Sequence, residues 1–219
     1  MLRTMSTASV FLLDGMLSVG LGCAGALRSA AVGFQHSPAG IFLREFAVQP
    51  RTVGAVWPSS SRLARDMASF VPTLGDGLVV ELGAGTGTVT KALLDKGMPA
   101  DRLRVVERCP VFVRHLRQRY PFMDVIEGDA AMLDDLLHDD VPVTTIVSSL
   151  PLRSLARETV SAIVGQWRKV LPLGGRVVQF TYALTNGPAE PLPGFVEYES
   201  HIIWGNLPPA KVMVFIRTA

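Results

Sequence analysis

The run Val79-Val80-Glu81-Leu82-Gly83-Ala84-Gly85-Thr86-Gly87 constrains this chain more than any other stretch. A buried-strand pattern enters a turn with alternating glycines, and a helix-compatible segment follows from Val89. Strand, glycine turn and helix, in that order, belong to the carboxyl edge of an open α/β sheet, where such sheets bind ligands. Glycines let the backbone approach a ligand closely, where a Cβ would stand in the way.

The rest of the chain continues that rhythm. Strands are expected at residues 78–82, 103–107, 124–126, 144–148 and 176–181, with helices at 89–96, 111–119, 131–138 and 158–170. Such βαβ alternation predicts a doubly wound, mostly parallel sheet. Two further strand-like runs, 195–204 and 210–217, are joined by Gly205-Asn206-Leu207-Pro208-Pro209 and predict a closing antiparallel hairpin, for seven strands in all. Upstream, Trp57-Pro58-Ser59-Ser60-Ser61 reads as a loop that delivers the N-cap of a helix through residues 62–67. At 219 residues, 48% hydrophobic and 18% charged, the chain suits one compact domain with an extension. The expected division is an apolar N-terminal extension (1–37), an amphipathic helical segment and lid (38–74), and a catalytic, cofactor-binding domain (75–219).

Three acids decide which cofactor the glycine turn suits. Glu81 lies two residues before Gly83, where a carboxylate can hold the cationic amino group of a methionine; beside a dinucleotide pyrophosphate the same anion would gain nothing. Glu107 ends the next strand, about 20 residues past the turn, where an acidic side chain bonds ribose hydroxyls. Asp129, in Glu127-Gly128-Asp129-Ala130, follows the third strand and can reach an adenine amino group. Together they predict S-adenosylmethionine, held by Glu81, Gly83, Ala84, Gly85, Gly87, Glu107, Asp129 and Ala130. Cys23 and Cys109 form neither a metal spacing nor a disulfide framework, and the scattered histidines offer no ligand pair, so no metal is expected.

Several stretches beyond the cofactor turn resemble the soluble bacterial phospholipid N-methyltransferases, which convert phosphatidylethanolamine toward phosphatidylcholine. They are Phe42-Leu43-Arg44, Val53-Gly54-Ala55-Val56-Trp57-Pro58-Ser59-Ser60, Ser148-Ser149-Leu150-Pro151-Leu152-Arg153-Ser154-Leu155, Gln179-Phe180-Thr181-Tyr182 and Trp204-Gly205-Asn206-Leu207-Pro208-Pro209-Ala210-Lys211-Val212. The resemblance implies a class I methyltransferase fold, a Rossmann-like seven-stranded sheet whose last strands form the hairpin. It also implies a phospholipid substrate and a peripheral enzyme docked by an N-terminal amphipathic helix on an anionic membrane. The candidate segment here is 41–48, where Phe42, Leu43 and Phe46 can bury while Arg44 meets headgroups; the same face can instead close over the cofactor cleft. The net charge is +2, but six arginines through Asp66 face only Asp14, Glu45 and Asp66, a basic front that suits lipid headgroups or nucleic acid phosphates.

The apolar stretch at residues 6–27 is interrupted by Asp14, and its unbroken part, 15–27, is too short to span a bilayer. Arg3 ahead of it outlines a secretory signal, but a cofactor made in the cytoplasm argues against export. The protein is therefore expected in the cytoplasm, associated with the inner face of the membrane.

Methyl transfer to an amine is an in-line displacement, so it needs alignment and an uncharged nitrogen. Ser149 and Tyr182 are the candidate catalytic residues, the first to orient the amine, the second to line the headgroup pocket with its ring face. Arg153 is placed to hold the lipid phosphate and Pro151 to shape the same loop. Ser148-Ser149-Leu150-Pro151-Leu152 also echoes the Asn-Leu-Pro-Tyr loop of RNA adenine dimethyltransferases, with the gripping Asn and the stacking Tyr replaced, so nucleic acid is not the favoured partner. A non-catalytic membrane scaffold that keeps the cofactor fold is the alternative outside enzymes.

Overall fold

A computed structural model describes residues 60–138, 140–184, 192–206 and 208–219. The expected apolar extension and the segment carrying Phe42, Leu43, Arg44 and Phe46 lie outside the described residues. Ser60 caps the first described helix, α1 (Ser61–Ser69), by accepting a 3.2 Å hydrogen bond from the Leu63 amide. Strands and helices then alternate: β1 (Leu78–Leu82), α2 (Thr88–Asp95), β2 (Leu103–Glu107), α3 (Pro110–Arg119), β3 (Asp124–Glu127), α4 (Leu133–Leu136), β4 (Val143–Ser148), α5 (Arg157–Val170) and β5 (Arg176–Thr181). Two strands close the chain, β6 (Phe195–Ile203) and β7 (Ala210–Arg217).

All seven strands join one sheet in the order β3-β2-β1-β4-β5-β7-β6. The first five pair in parallel, and β7 runs antiparallel between β5 and β6. This is the doubly wound, mostly parallel sheet expected from the alternation, closed by the expected antiparallel hairpin, and it has the seven strands that the resemblance implies. Central β1 is buried at every position, as a strand covered by helices on both faces must be. One apolar layer packs Leu63, Met67 and Leu93 of α1 and α2 on Val79, Val105, Val147 and Val178. The other packs Ile163, Val164 and Trp167 of α5 on Val80, Ile146 and Val177. Trp167, fully buried, meets Phe195 edge-on at 6.3 Å.

Cations fasten α1 to the sheet. Lys96 donates to the carbonyls of Ala68, Ser69 and Val71, and Arg176 to that of Phe70 at 2.8 Å. They satisfy the acceptors that the end of α1 leaves open. One helix differs from its expectation. The 131–138 stretch is a 3-10 turn, Ala130–Met132, followed by the four-residue α4. Asp129 caps that turn through the Ala131 amide, and the Asp134 amide donates to Gln166 of α5.

Candidate active site

Chain order reverses between β1 and β4, since β2 and β3 lie to one side and β4 and β5 to the other. A sheet of this kind opens a crevice where the order reverses, at the carboxyl ends of the strands. Two loops meet there. One is the glycine turn after β1; the other, from Ser149 to Ala156, follows β4 and contains the 3-10 turn Leu152–Ser154. They are in contact: a Cβ on Gly83 would lie 2.9 Å from Leu150 Cδ2.

Gly83, Gly85 and Gly87 all have positive φ, at 71°, 56° and 79°, the left-handed region that side chains disfavour. Their surroundings differ. A Cβ on Gly87 would press on Leu116 and Tyr120, whereas one on Gly85 would meet nothing within 4 Å. The space beside Gly85 is open, so a ligand could approach the backbone there.

Glu81 is fully buried at the end of β1. Its Oε2 accepts a 2.7 Å hydrogen bond from Thr90 Oγ1 of α2, and its Oε1 is buried without a partner. Burial pushes its carboxyl up to about 7, against the pull of the Thr90 hydrogen bond. A buried carboxylate oxygen with no donor is costly unless a cationic or N–H group arrives to meet it, which fits the amino group of S-adenosylmethionine.

The neighbouring acid is organised differently. Glu107 accepts from the Gly85 amide through Oε2 and from the Cys109 amide through Oε1, both at 2.8 Å. Burial raises its carboxyl as well, opposed by those backbone bonds. Its carboxylate therefore ties the end of β2 to the glycine turn, and its remaining lone pairs stay available to ribose hydroxyls. Asp129 follows β3; Oδ1 accepts from the Ala131 amide at 2.9 Å, and Oδ2 pairs with Arg108 at 3.2 Å. Ala130 beside it is buried. Glu81, Glu107 and Asp129 thus mark three adjacent strand ends.

On the other side of the crevice, the Ser149 amide extends the ladder to the Leu82 carbonyl at 2.9 Å, while its Oγ is buried without a partner. Pro151 precedes the 3-10 turn, and Arg153 is exposed on it. Tyr182 follows β5, half-buried, with its ring edge-on to Phe180 at 5.4 Å. Burial raises its phenol, and a hydrogen bond with the Asn206 side chain acts against that rise.

Some organising residues received no role from the sequence. Gln179 of β5 is 4% exposed and donates Nε2 to the carbonyls of Leu150 and Phe180, both at 2.9 Å, so it holds the loop after β4 in place. Two carbonyl partners fix which end of the amide is nitrogen, and Oε1 is left buried without a donor. A lone glutamine in Val177-Val178-Gln179-Phe180 was the available signal. His115 and Tyr120 lie behind the glycine turn; His115 Nε2 and the Tyr120 hydroxyl are buried and unpartnered. Among the described residues no cluster of His, Cys, Asp and Glu could hold a metal, and no helix is long and apolar enough to cross a membrane.

No protein-family model matches the chain. It is 34% identical over 146 residues to the ornithine lipid N-methyltransferase of Singulisphaera acidiphila, across 64% of this chain and 76% of that protein. A shorter likeness, 37% identity over 92 residues, joins it to the probable ribosomal RNA small subunit methyltransferase A of Halobacterium salinarum, across 37% of this chain and 29% of that protein. Among solved structures, the N-methyltransferase NodS from Bradyrhizobium japonicum, in complex with S-adenosyl-L-homocysteine, superposes with a TM-score of 0.60. That match has 16% identity and covers 83% of this chain and 99% of NodS, a likeness of fold.

Proposed function

Since the chain belongs to the class I S-adenosylmethionine-dependent methyltransferases, in the family of the Singulisphaera ornithine lipid N-methyltransferase, we propose that it methylates the amine of a phospholipid headgroup, phosphatidylethanolamine toward phosphatidylcholine. The observation that carries the lipid-amine reading is the 34% identity over 146 residues with a lipid N-methyltransferase. The choice of phosphatidylethanolamine rests on the resemblance of Gln179-Phe180-Thr181-Tyr182 and of the stretch from Trp204 to Val212 to phospholipid N-methyltransferases.

Bound S-adenosylmethionine supplies a sulfonium methyl open to attack by a neutral amine. Glu81 would hold its amino group, Glu107 its ribose, and Asp129 with Ala130 its adenine, while Gly83, Ala84, Gly85 and Gly87 form the cradle. The headgroup enters as an ammonium and must lose a proton to present its lone pair. Ser149 and the loop at Pro151 orient the nitrogen, the Tyr182 ring faces it, and Arg153 takes the lipid phosphate. Phe42, Leu43, Arg44 and Phe46 bring the protein to an anionic cytoplasmic membrane face; Phe42→Ser with Arg44→Glu should weaken vesicle flotation, and added salt should weaken it further.

An adenine acceptor fits this chain less well. The loop after β4 lacks the Asn and Tyr that grip a flipped base, and the RNA-enzyme likeness spans 37% of the chain.

The test is methyl-labelled cofactor offered with phosphatidylethanolamine vesicles, ornithine lipid vesicles and ribosomal RNA. Label in phosphatidylethanolamine is expected. Label in ornithine lipid alone would correct the acceptor, and label in RNA alone would overturn the lipid reading. Within the lipid assay, Tyr182→Ala should lower kcat/KM by about tenfold or more with cofactor affinity unchanged, because its ring touches the acceptor side. Tyr182→Phe should keep most of the activity if the ring face is what matters.

A further inference from the structure

The corner where β6 turns into β7 presents an arrangement that the catalytic reading leaves unused. β6 runs parallel to β5, since both are antiparallel to β7, so its end at Ile203 lies at the same sheet edge as the crevice. Trp204 follows directly and is 72% exposed. An exposed tryptophan on a loose loop needs no explanation, but this turn is held firmly. Asn206 is 3% exposed, donates Nδ2 to the Pro208 carbonyl at 2.6 Å, and accepts from Ser60 Oγ, the N-cap of α1. One buried amide thus ties the turn to the start of α1.

Charge lies beside the tryptophan. The Arg62 guanidinium sits over Gly205, where an added Cβ would overlap it, and Arg65 is exposed one turn further along α1. The nearest acids in sequence are Asp66, partly buried on α1, and Glu197 and Glu199 back along β6, with Glu197 paired to Lys211 at 3.1 Å. Tryptophan is favoured in the headgroup layer of a bilayer, where its ring is half apolar and half polar. Arginines beside it gain from anionic lipid.

We propose that Trp204, Arg62 and Arg65 form a docking corner that seats the protein on an anionic phospholipid bilayer with the crevice facing the headgroups. The inference rests on a lipid being the acceptor, because a lipid amine can reach the crevice only from the bilayer side. Trp204 enters the headgroup layer, Arg62 and Arg65 meet phosphates, and Asn206 keeps the tryptophan's turn in fixed relation to α1, which carries both arginines. The surface is separate from the 41–48 segment and is carried by the folded domain itself.

The experiment uses the full chain with Trp57→Phe, so that Trp204 and the buried Trp167 are the remaining tryptophans. Vesicles of phosphatidylcholine, with and without phosphatidylglycerol, are added, and emission and quenching by brominated lipid are read together with flotation. Trp204 emission should shift to the blue and be quenched on the anionic vesicles. Trp204→Ser should lower partitioning by about tenfold, and Arg62→Gln and Arg65→Gln by about fivefold each, with the losses shrinking as salt is raised. Trp204→Phe should recover part of the binding. Unshifted Trp204 emission on vesicles with which the protein floats overturns the docking corner, as does failure to float. So does a shift that appears with protein concentration alone, which marks contact between two copies. Trp204→Ser should still methylate a water-soluble, short-chain phosphatidylethanolamine while losing turnover on vesicles. If the wild type methylates neither form yet shows Trp204 in the bilayer, the acceptor reading fails and the docking corner stands.

Discussion

Replacing Glu81 with glutamine should weaken S-adenosylmethionine binding by about a hundredfold while the protein stays folded, as calorimetric titration would register. Glutamine keeps the volume and can still accept from Thr90, so the loss isolates the charge. In the wild type, burial holds the Glu81 carboxyl at about 7. It is therefore mostly protonated at pH 6 and ionised at pH 8. A cationic amino group binds the ionised form, so wild-type affinity should fall about tenfold for each unit of pH below 7. Binding near pH 6 should also release a proton, visible as a dependence of the heat on the buffer. Glu81→Gln should show neither effect. Stability runs the opposite way: a carboxyl raised in the folded state binds protons that the unfolded chain has released between pH 4.5 and 7. The ligand-free protein should thus lose stability as pH rises through that window, by at most about 3 kcal/mol from Glu81. Glu107, raised in the same direction, adds to the slope. Near-wild-type affinity in Glu81→Gln would move the cofactor's amino group elsewhere.

What could be read from the sequence followed from local regularity. A strand that is apolar throughout except for Glu81, then a turn with glycine at every second position, has few alternative structures, and β1 with its turn formed as expected. The closing hairpin was legible because two apolar runs flank Gly205 and two prolines, and Ser60 because a serine ahead of an apolar-periodic stretch is a common cap. What escaped depends on distant partners. The helix expected at 131–138 is a 3-10 turn and a four-residue helix, and its first-turn Asp134 amide is satisfied by Gln166 of α5, a partner 32 residues away. Glu107 was read as a ribose acid, yet both its oxygens also hold backbone amides, one of them from Gly85 across the turn. Gln179 and Asn206 are buried polar hubs, each with one partner far along the chain, Leu150 and Ser60, so no spacing in the sequence reveals those contacts.

Alanine at Gly85 and at Gly87 should have opposite balances of cost, and the contrast tests where the cofactor lies. Both glycines have positive φ, so either alanine carries about 1–2 kcal/mol of backbone strain. At Gly87 the new Cβ would also come within 2.8 Å of Leu116 Cδ2 and 3.2 Å of Tyr120 Cε2, two side chains of the buried layer beneath α2. Overpacking of that kind adds about 1–3 kcal/mol. For a chain of this size, Gly87→Ala should lower Tm by about 10 °C, and Gly85→Ala by no more than a few degrees. Cofactor binding should respond differently. The Cβ at Gly85 meets no protein atom within 4 Å, so what it can obstruct is a ligand resting on the turn. Gly85→Ala should therefore cost about tenfold or more in S-adenosylmethionine affinity in a protein that melts almost normally, and Gly85→Val, with a larger side chain in the same space, should nearly abolish binding. Calorimetry and thermal melts on the same samples decide it. If Gly85→Val binds the cofactor as the wild type does, the space beside that glycine is not the cradle, and the turn serves only to start α2.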